Sequence, residues 1–439
     1  MQSTTKSIVI MGMGKTGLAC AKFLHKKNIP VTIMDNRTSP PGLAMLQQHF
    51  PEIPNIIGKF DSEQLSQASE IIISPGLSRQ EPALAKALAV GVPIISEIEL
   101  FTRYVNAPVV AITGSNGKST VTTLLGEMVQ QAGWKVQVGG NLGIPAIDLL
   151  CDPAPDVYIL ELSSFQLETT YSLNPAAAVV LNISEDHMDR YASLTDYIET
   201  KQLIYKGNGI FVVNYDDAYA LNTAENLSFS LQADKGNFRI SKQQNELYLT
   251  QVENNDVIPL MPVNQMHLQG SMMQANALAA LTLGYAIKLP ITAMLTAIKQ
   301  FKGLAHRCAW VANKKGIDFF NDSKGTNVGA TIAAIQGLAR KSILIAGGDG
   351  KGADFSPLTN VVAENCHAVV LIGKDAPLLV KILSVPIYHA TSLEDAVKQA
   401  ATLANSGDAV LLSPACASFD MFDNYEHRGK VFEEAVQQL

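Results

Sequence analysis

Short runs of β-branched and aliphatic residues recur along the chain, and most end in glycine, serine, asparagine or an acid before a helix-period segment. Residues 7–11, 31–34, 70–73 and 92–96 each read as a buried strand. Helical spacing follows at 18–24 and 97–103. The pattern restarts with strands at 109–112, 135–143, 156–161 and 178–183, with helices at 122–129, 196–205 and 271–287. Residues 226–263 instead alternate in short stretches, such as 244–251, and predict a small β-layer without evident chemistry. Past Phe301 the period resets, and residues 319–327 open a third unit with strands at 342–346, 369–372, 386–389 and 409–412. Strands that are apolar on both faces and separated by helices build parallel sheets covered on both sides.

The expected fold is therefore α/β in three domains. Residues 1–96 form a Rossmann-like domain, 97–302 a central P-loop ATPase-type domain with a parallel sheet plus the small β-layer, and 303–439 a second Rossmann-like domain. A chain of 439 residues suits about three domains. No apolar run approaches the ~20 residues of a membrane span, so no membrane partner is expected. Met1–Lys6 leads straight into a strand, which predicts no secretory signal. Five scattered cysteines without C-x-x-C spacing fit a reducing, cytoplasmic setting and argue against disulfides and a zinc site. A net charge of −7 without basic clusters excludes a nucleic-acid partner. The expected partners are small molecules, and a monomer is the expected state.

The chemistry centres on residues 109–120. A β-branched strand runs into Gly114-Ser115-Asn116-Gly117-Lys118-Ser119-Thr120 and then a helix. Glycines let backbone N–H groups approach an anion, and a helix N-terminus adds partial positive charge. Lys118 can reach β/γ-phosphates and the Ser119 hydroxyl can ligate Mg²⁺. The usual glycine five residues before Gly117-Lys118 is Ile112 here, with Gly114 in its stead, so the loop is a shortened variant. Glu161 and Asn141 close neighbouring strands and should lie near Lys118, since ligands bind at the carboxyl ends of parallel strands. Asp186-His187-Met188-Asp189 also follows a strand end, where His187 is placed as a metal ligand would be.

The first domain carries Gly12-x-Gly14-x-x-Gly17 between strand and helix, with Asp35 ending the next strand. Alone, this dinucleotide fingerprint points to an NAD-dependent oxidoreductase. With a second phosphate loop downstream, it indicates only a bound diphosphate or nucleotide. A nucleotide-gated switch would need the central loop alone. It would leave without purpose the C-terminal turns at 347–352, which carry Lys351, and at 413–418.

Taken together, Thr113–Thr120, Glu161–Gln166, Asp186–Tyr191, Asn321–Lys324 and Ser413–Ser418 resemble the Mur ligases, ATP-dependent amino-acid ligases of peptidoglycan synthesis. The closest resemblance is to the branch that adds D-glutamate to UDP-N-acetylmuramoyl-L-alanine through an acyl phosphate. The central loop is shared with folylpolyglutamate synthetase, and the outer motifs separate the two. The resemblance implies ATP on Gly114, Ser115, Asn116, Gly117, Lys118, Ser119 and Thr120, with Asn276, Arg307 and Asp322. It implies Mg²⁺ at two sites, Ser119 with Glu161, and His187 with a carbamylated Lys201. Lys118, Asn141, Glu161, His187 and Lys201 would be the catalytic group. The UDP substrate would meet Lys15, Thr16, Asp35, Arg37, Ser74, Gly76 and Asn141, and D-glutamate would meet Thr326, Lys351, Ser418 and Tyr425. This chain departs from the family pattern at Met272-Met273, where His-Asn is usual, and at Ala305, Gly325 and Tyr425.

Overall fold

The computed structural model describes residues 7–439 except 221–225, 233, 269 and 339. The lead Met1–Lys6 lies outside the described residues. Among the described residues three sheets are present. The first has the order Asn55–Ile57, Val31–Asp35, Ile8–Met11, Glu70–Ile73, Ile94–Ile95, all parallel. Its strand order reverses on either side of Ile8–Met11, and the Gly12–Gly17 turn opens at that switch point. A Cβ on Gly17 would stand 1.9 Å from the Gly12 carbonyl oxygen, which fixes glycine there.

The central sheet has nine strands. Val109–Thr113 pairs in parallel with Val157–Glu161 on one side and Ala177–Val180 on the other. Val136–Gly140 closes one edge, and Ile210–Asn214, Leu227–Ser230 and Phe238–Gln243 extend the other. The alternating segment is not a detached layer. Phe238–Gln243, Glu246–Glu253 and Asp256–Pro262 continue the same sheet as antiparallel hairpins. With one face solvated, such strands alternate in polarity, whereas the parallel strands are apolar throughout. Helices Lys118–Gln131, Ser271–Ala286 and Ile291–Gln300 cover one face in a shared apolar core.

The third sheet has the order Ala309–Lys314, Ile317–Asn321, Ala409–Leu412, Ser342–Gly347, Cys366–Ile372, Ile387–His389. The edge strand Ala309–Lys314 is antiparallel and half-exposed, and its mixed composition gave no strand signal in the sequence. Glu97–Thr102 packs in one core with Leu24 and Tyr158, so the first two units share apolar contacts through Ile98 and Phe101. Burying each such large side chain contributes about 1.5–3 kcal/mol. The third unit has its own two apolar layers, on either side of its sheet. Among the described residues no helix is long and apolar enough to cross a membrane.

Candidate active site

Helix Lys118–Gln131 starts earlier than its periodicity suggests, directly after Gly117 in the left-handed region at φ 83°. A Cβ there would stand 2.5 Å from Asn276 Oδ1, so the turn is closed against helix Ser271–Ala286. The loop backbone is pinned from the next strand end: Ser115 N–H donates to the Asn182 carbonyl and Asn116 N–H to Asn182 Oδ1, both at 2.8 Å. Lys118 Nζ folds back to donate to the carbonyls of Gly114 (2.8 Å) and Ser115 (2.9 Å). Lys201 Nζ donates to the same Gly114 carbonyl at 3.0 Å and lies 4.6 Å over the Tyr197 ring. Two lysine amines thus share one carbonyl. Burial, followed by the Lys118 charge, holds the Lys201 pKa well below the ordinary lysine value. Burial lowers that of Lys118 as well.

Beside the loop, side chains from three strand ends and the third unit form a chain of contacts. Asn141 Nδ2 donates to Glu161 Oε1 (2.6 Å), and Ser119 Oγ–H donates to Glu161 Oε2 (2.5 Å). Arg307 Nη2 donates in turn to Ser119 Oγ. Glu161 is 2% exposed, so its carboxylate depends on these partners. His187 sits at positive φ, 3.7 Å from Asp186, with its ring edge-on to Phe165. Burial lowers the His187 pKa, which favours the neutral imidazole with a lone pair to offer. No hydrogen bond joins His187 to Lys201 among the described residues.

A narrow pocket is lined by Asn116, Gly117, Thr120, Met272, Met273, Asn276, Arg307 and Asp322. Leu268 and Leu304 complete an apolar wall around the two methionines, and Asn276 Nδ2 approaches Met273 Sδ at 3.9 Å. Asp322 accepts from Ser413 Oγ (2.7 Å) and from the Cys308 N–H (3.1 Å), and burial raises its pKa to about 7. Lys351 Nζ forms a 2.6 Å ion pair with Asp186 Oδ1. Asn327 bridges the same gap, donating to Asp186 Oδ2 (3.2 Å) and Asn116 Oδ1 (3.3 Å). The third unit is thus docked on the phosphate loop through polar contacts. Ser418 is buried behind the turn carrying Lys351, and Tyr425 lies under Lys324, whose Nζ is 3.8 Å from the ring centroid. Thr326 is half-buried in the turn after Lys324.

A cleft of about 550 Å³ lies between the first and central units. Gly12, Lys15, Thr16, Asp35, Arg37, Ser74 and Gly76 line one wall, and Asn141, Gly143, Pro145 and Gln166 the other. Asp35 is in the lining, but its oxygens are taken. Oδ2 accepts the Met13 N–H (2.7 Å) and Arg37 Nη2 (2.7 Å), and Oδ1 accepts the Arg37 N–H (2.9 Å) and Nε (2.8 Å). Burial opposes the charge, yet these donors bring the Asp35 pKa down to about 2. Asp35 therefore acts on the cleft by fixing Arg37 and the glycine turn. Lys15 Nζ reaches across to the Gly143 carbonyl.

Sequence reasoning passed over Asp186, Asn182 and Asn327. Asn327 had a signal: an asparagine just before a helical run caps helix Val328–Gly337, here by accepting the Ala330 N–H at 2.8 Å. Asn182 and Asp186 stood inside recognised stretches without roles. Their partners are distant in sequence, so no local pattern reveals them.

Comparison with known proteins agrees with this geometry. Residues 6–96 match the description "Mur ligase MurD-like, N-terminal domain", 112–284 "Mur ligase middle domain" and 306–416 "Mur ligase, glutamate ligase domain". A Nitrosococcus oceani protein named UDP-N-acetylmuramoylalanine–D-glutamate ligase is 49% identical over 98% of this chain and 96% of its own length. A Coxiella burnetii protein of the same name is 51% identical over the full length of both chains. Among solved structures, a UDP-N-acetylmuramate–alanine ligase from Thermotoga maritima has a TM-score of 0.62 at 18% identity, covering 98% of this chain and 99% of that one. A pseudomurein peptide ligase from Methanothermus fervidus has a TM-score of 0.63 at 17% identity, covering 99% of this chain and 100% of that one. With all three family domains in order and relatives at half identity along the whole chain, the protein belongs to the Mur ligase family of ATP-dependent, amide-forming ligases.

Proposed function

We propose that this chain joins D-glutamate to UDP-N-acetylmuramoyl-L-alanine with cleavage of ATP to ADP and phosphate, in peptidoglycan precursor synthesis. The observation that carries the reading is the contact chain Asn141–Glu161–Ser119–Arg307, which runs from the interdomain cleft, past the phosphate loop, to the nucleotide pocket. Each substrate has its own unit, divided near Ser96 and near Lys302, and the reacting ends meet at that chain.

A carboxylate is a poor acceptor for an amine because its charge repels attack and it lacks a leaving group. A carboxylate oxygen of the UDP substrate attacks the γ-phosphorus of ATP, the bond to the β,γ-bridging oxygen breaks, and ADP leaves. The resulting acyl phosphate is attacked at its carbonyl carbon by the amine of D-glutamate. The nitrogen loses a proton and inorganic phosphate departs. Such transfer asks for positioning and charge neutralisation more than covalent chemistry. The loop N–H groups, Lys118 and Arg307 hold the phosphates, Asn141 orients the reacting carboxylate, and the docked third unit excludes water from the acyl phosphate.

The donor set at the loop suits a hard cation: the Ser119 hydroxyl and the Glu161 carboxylate are 2.5 Å apart. Those two residues would hold one Mg²⁺, and His187 with a carbamylated Lys201 a second. An unmodified ammonium has no lone pair to give. Among the described residues no group of three or more His, Cys, Asp and Glu side chains could hold a metal, and a carbamate on Lys201 would add two oxygen donors beside His187. Bound Mg²⁺ supplies further neutralisation of phosphate charge.

Phosphate release measured with each substrate omitted in turn tests the reading. Release should require all three, and hydroxylamine should trap a hydroxamate of the UDP substrate when D-glutamate is left out. Phosphate release that ignores the UDP substrate would sink the proposal.

A further inference from the structure

Three turns at the carboxyl ends of adjacent strands in the third sheet form one wall. Ala415 N–H donates to the Gly325 carbonyl (2.9 Å), while Ala417 N–H donates to the Asp349 carbonyl (2.8 Å) and Asp349 N–H to that of Ala417 (3.1 Å). Beneath them lies Arg428, on helix Tyr425–Gln437 and only 1% exposed. Its Nε donates to Ser323 Oγ (3.0 Å), Nη2 to the Ser323 carbonyl (2.7 Å) and Nη1 to the Cys416 carbonyl (3.1 Å). Ser323 Oγ–H donates onward to the Tyr425 carbonyl (2.9 Å). One guanidinium therefore fastens the turn before Thr326, the turn before Ser418 and the helix start that carries Tyr425.

The charge of Arg428 is the second observation. Buried cations are ordinarily paired with a carboxylate. All three acceptors here are neutral oxygens, and Asp420 and Asp322 act on the guanidinium through space without touching it. Those carboxylates offset its charge only through space, and the remaining positive field lies under the wall formed by the turns.

We propose that Arg428 is the positioning residue for the amino-acid substrate, setting Thr326, Ser418 and Tyr425 relative to one another and supplying buried positive charge that a substrate carboxylate offsets. The inference rests on assigning those three residues and Lys351 to D-glutamate. A lysine at this place would keep the charge but lose the planar fork that reaches two turns at once.

Steady-state kinetics on the full chain test it, with D-glutamate varied at saturating ATP and UDP substrate, then each of the others varied in turn. Arg428→Lys should raise the KM for D-glutamate about tenfold and Arg428→Met about a hundredfold, with the KM values for ATP and the UDP substrate within about twofold of wild type. If Arg428→Met does not fold, Arg428→Lys alone decides. Ser418→Ala and Lys351→Ala serve as references. A D-glutamate KM unchanged in both references overturns the assignment of the turns, and the Arg428 role with it. A raised KM in the references, with Arg428→Lys within about twofold of wild type, overturns the Arg428 role alone. Parallel rises in all three KM values also overturn it, since they indicate general loosening of the unit.

Discussion

The chain contains two strand–glycine turn–helix loops, Gly12–Gly17 and Gly114–Thr120, and they differ in what surrounds the same backbone device. At the central loop two lysine amines, Lys118 and Lys201, share the Gly114 carbonyl, and Arg307 comes in from another unit to Ser119, beside the Glu161 carboxylate. At the first loop the neighbour is an anion, because the Asp35 carboxylate accepts the Met13 N–H. Glycines thus specify the turn, and the charges around it specify the ligand. One loop is prepared for a polyphosphate; the other is a wall that holds Arg37 and Lys15 over a wide cleft.

The largest effect should come from taking the charge off the central loop. Lys118→Ala should fold and lose roughly a thousandfold or more in ligase turnover, about 4 kcal/mol of transition-state stabilisation. Turnover close to wild type, with an unchanged thermal melt, would remove the distinction between the loops. Next is Lys201→Ala, expected to lose on the order of a hundredfold in turnover, with partial recovery on adding acetate or propionate. Carbon dioxide adds only to a neutral amine, and the depressed Lys201 pKa favours that form. The small acid then stands in for the lost carbamate. Full activity without an additive would return Lys201 to a structural role.

Smaller effects belong to the first loop. Asp35→Asn should raise the KM for the UDP substrate about tenfold, leave that for ATP unchanged, and destabilise the chain by about 2 kcal/mol at neutral pH. The folded-state pKa of Asp35, about 2, lies below the ordinary carboxylate value. Its stabilisation is therefore present above about pH 4 and is lost as the pH falls through about 2. A stability gap between wild type and variant that widens on acidification contradicts the pairing. The smallest expected effect is none at all: NADH fluorescence should not change on adding the protein, and UDP should bind. Saturable enhancement competed by NAD⁺ but not by UDP would make the two loops alike after all.

Much of this difference could be read before the fold was known, and the limit falls at identifiable residues. The strand and helix of both loops follow from periodicity, and Gly17 and Gly117 from the turns they must make. Glu161 and Asn141 were legible because a parallel sheet delivers strand ends to one edge. Asp35 was legible as a residue of the cleft, yet not its attachment to Met13 and Arg37, which turns a ligand contact into a support. The strand Ala309–Lys314 escaped because a half-exposed edge strand needs no clean alternation. Arg428 carried no signal either, since a lone arginine on a helix reads as a solvated residue until its burial is seen.

By itself the sequence determined the local elements, the two glycine turns, the absence of a membrane-length apolar run and, through its motifs, the family. These depend on neighbours within a few residues, where periodicity and φ preferences act directly. The tertiary structure alone decided which charges meet. It set Lys201 against Lys118, Lys351 against Asp186, Arg307 against Ser119, and Arg428 beneath two turns with no carboxylate in contact among the described residues. The partners in these contacts are separated by tens to hundreds of positions, so no local pattern encodes them. They form because the separately built central and third sheets present their strand ends to one place, and burial there makes each charge dependent on its partners.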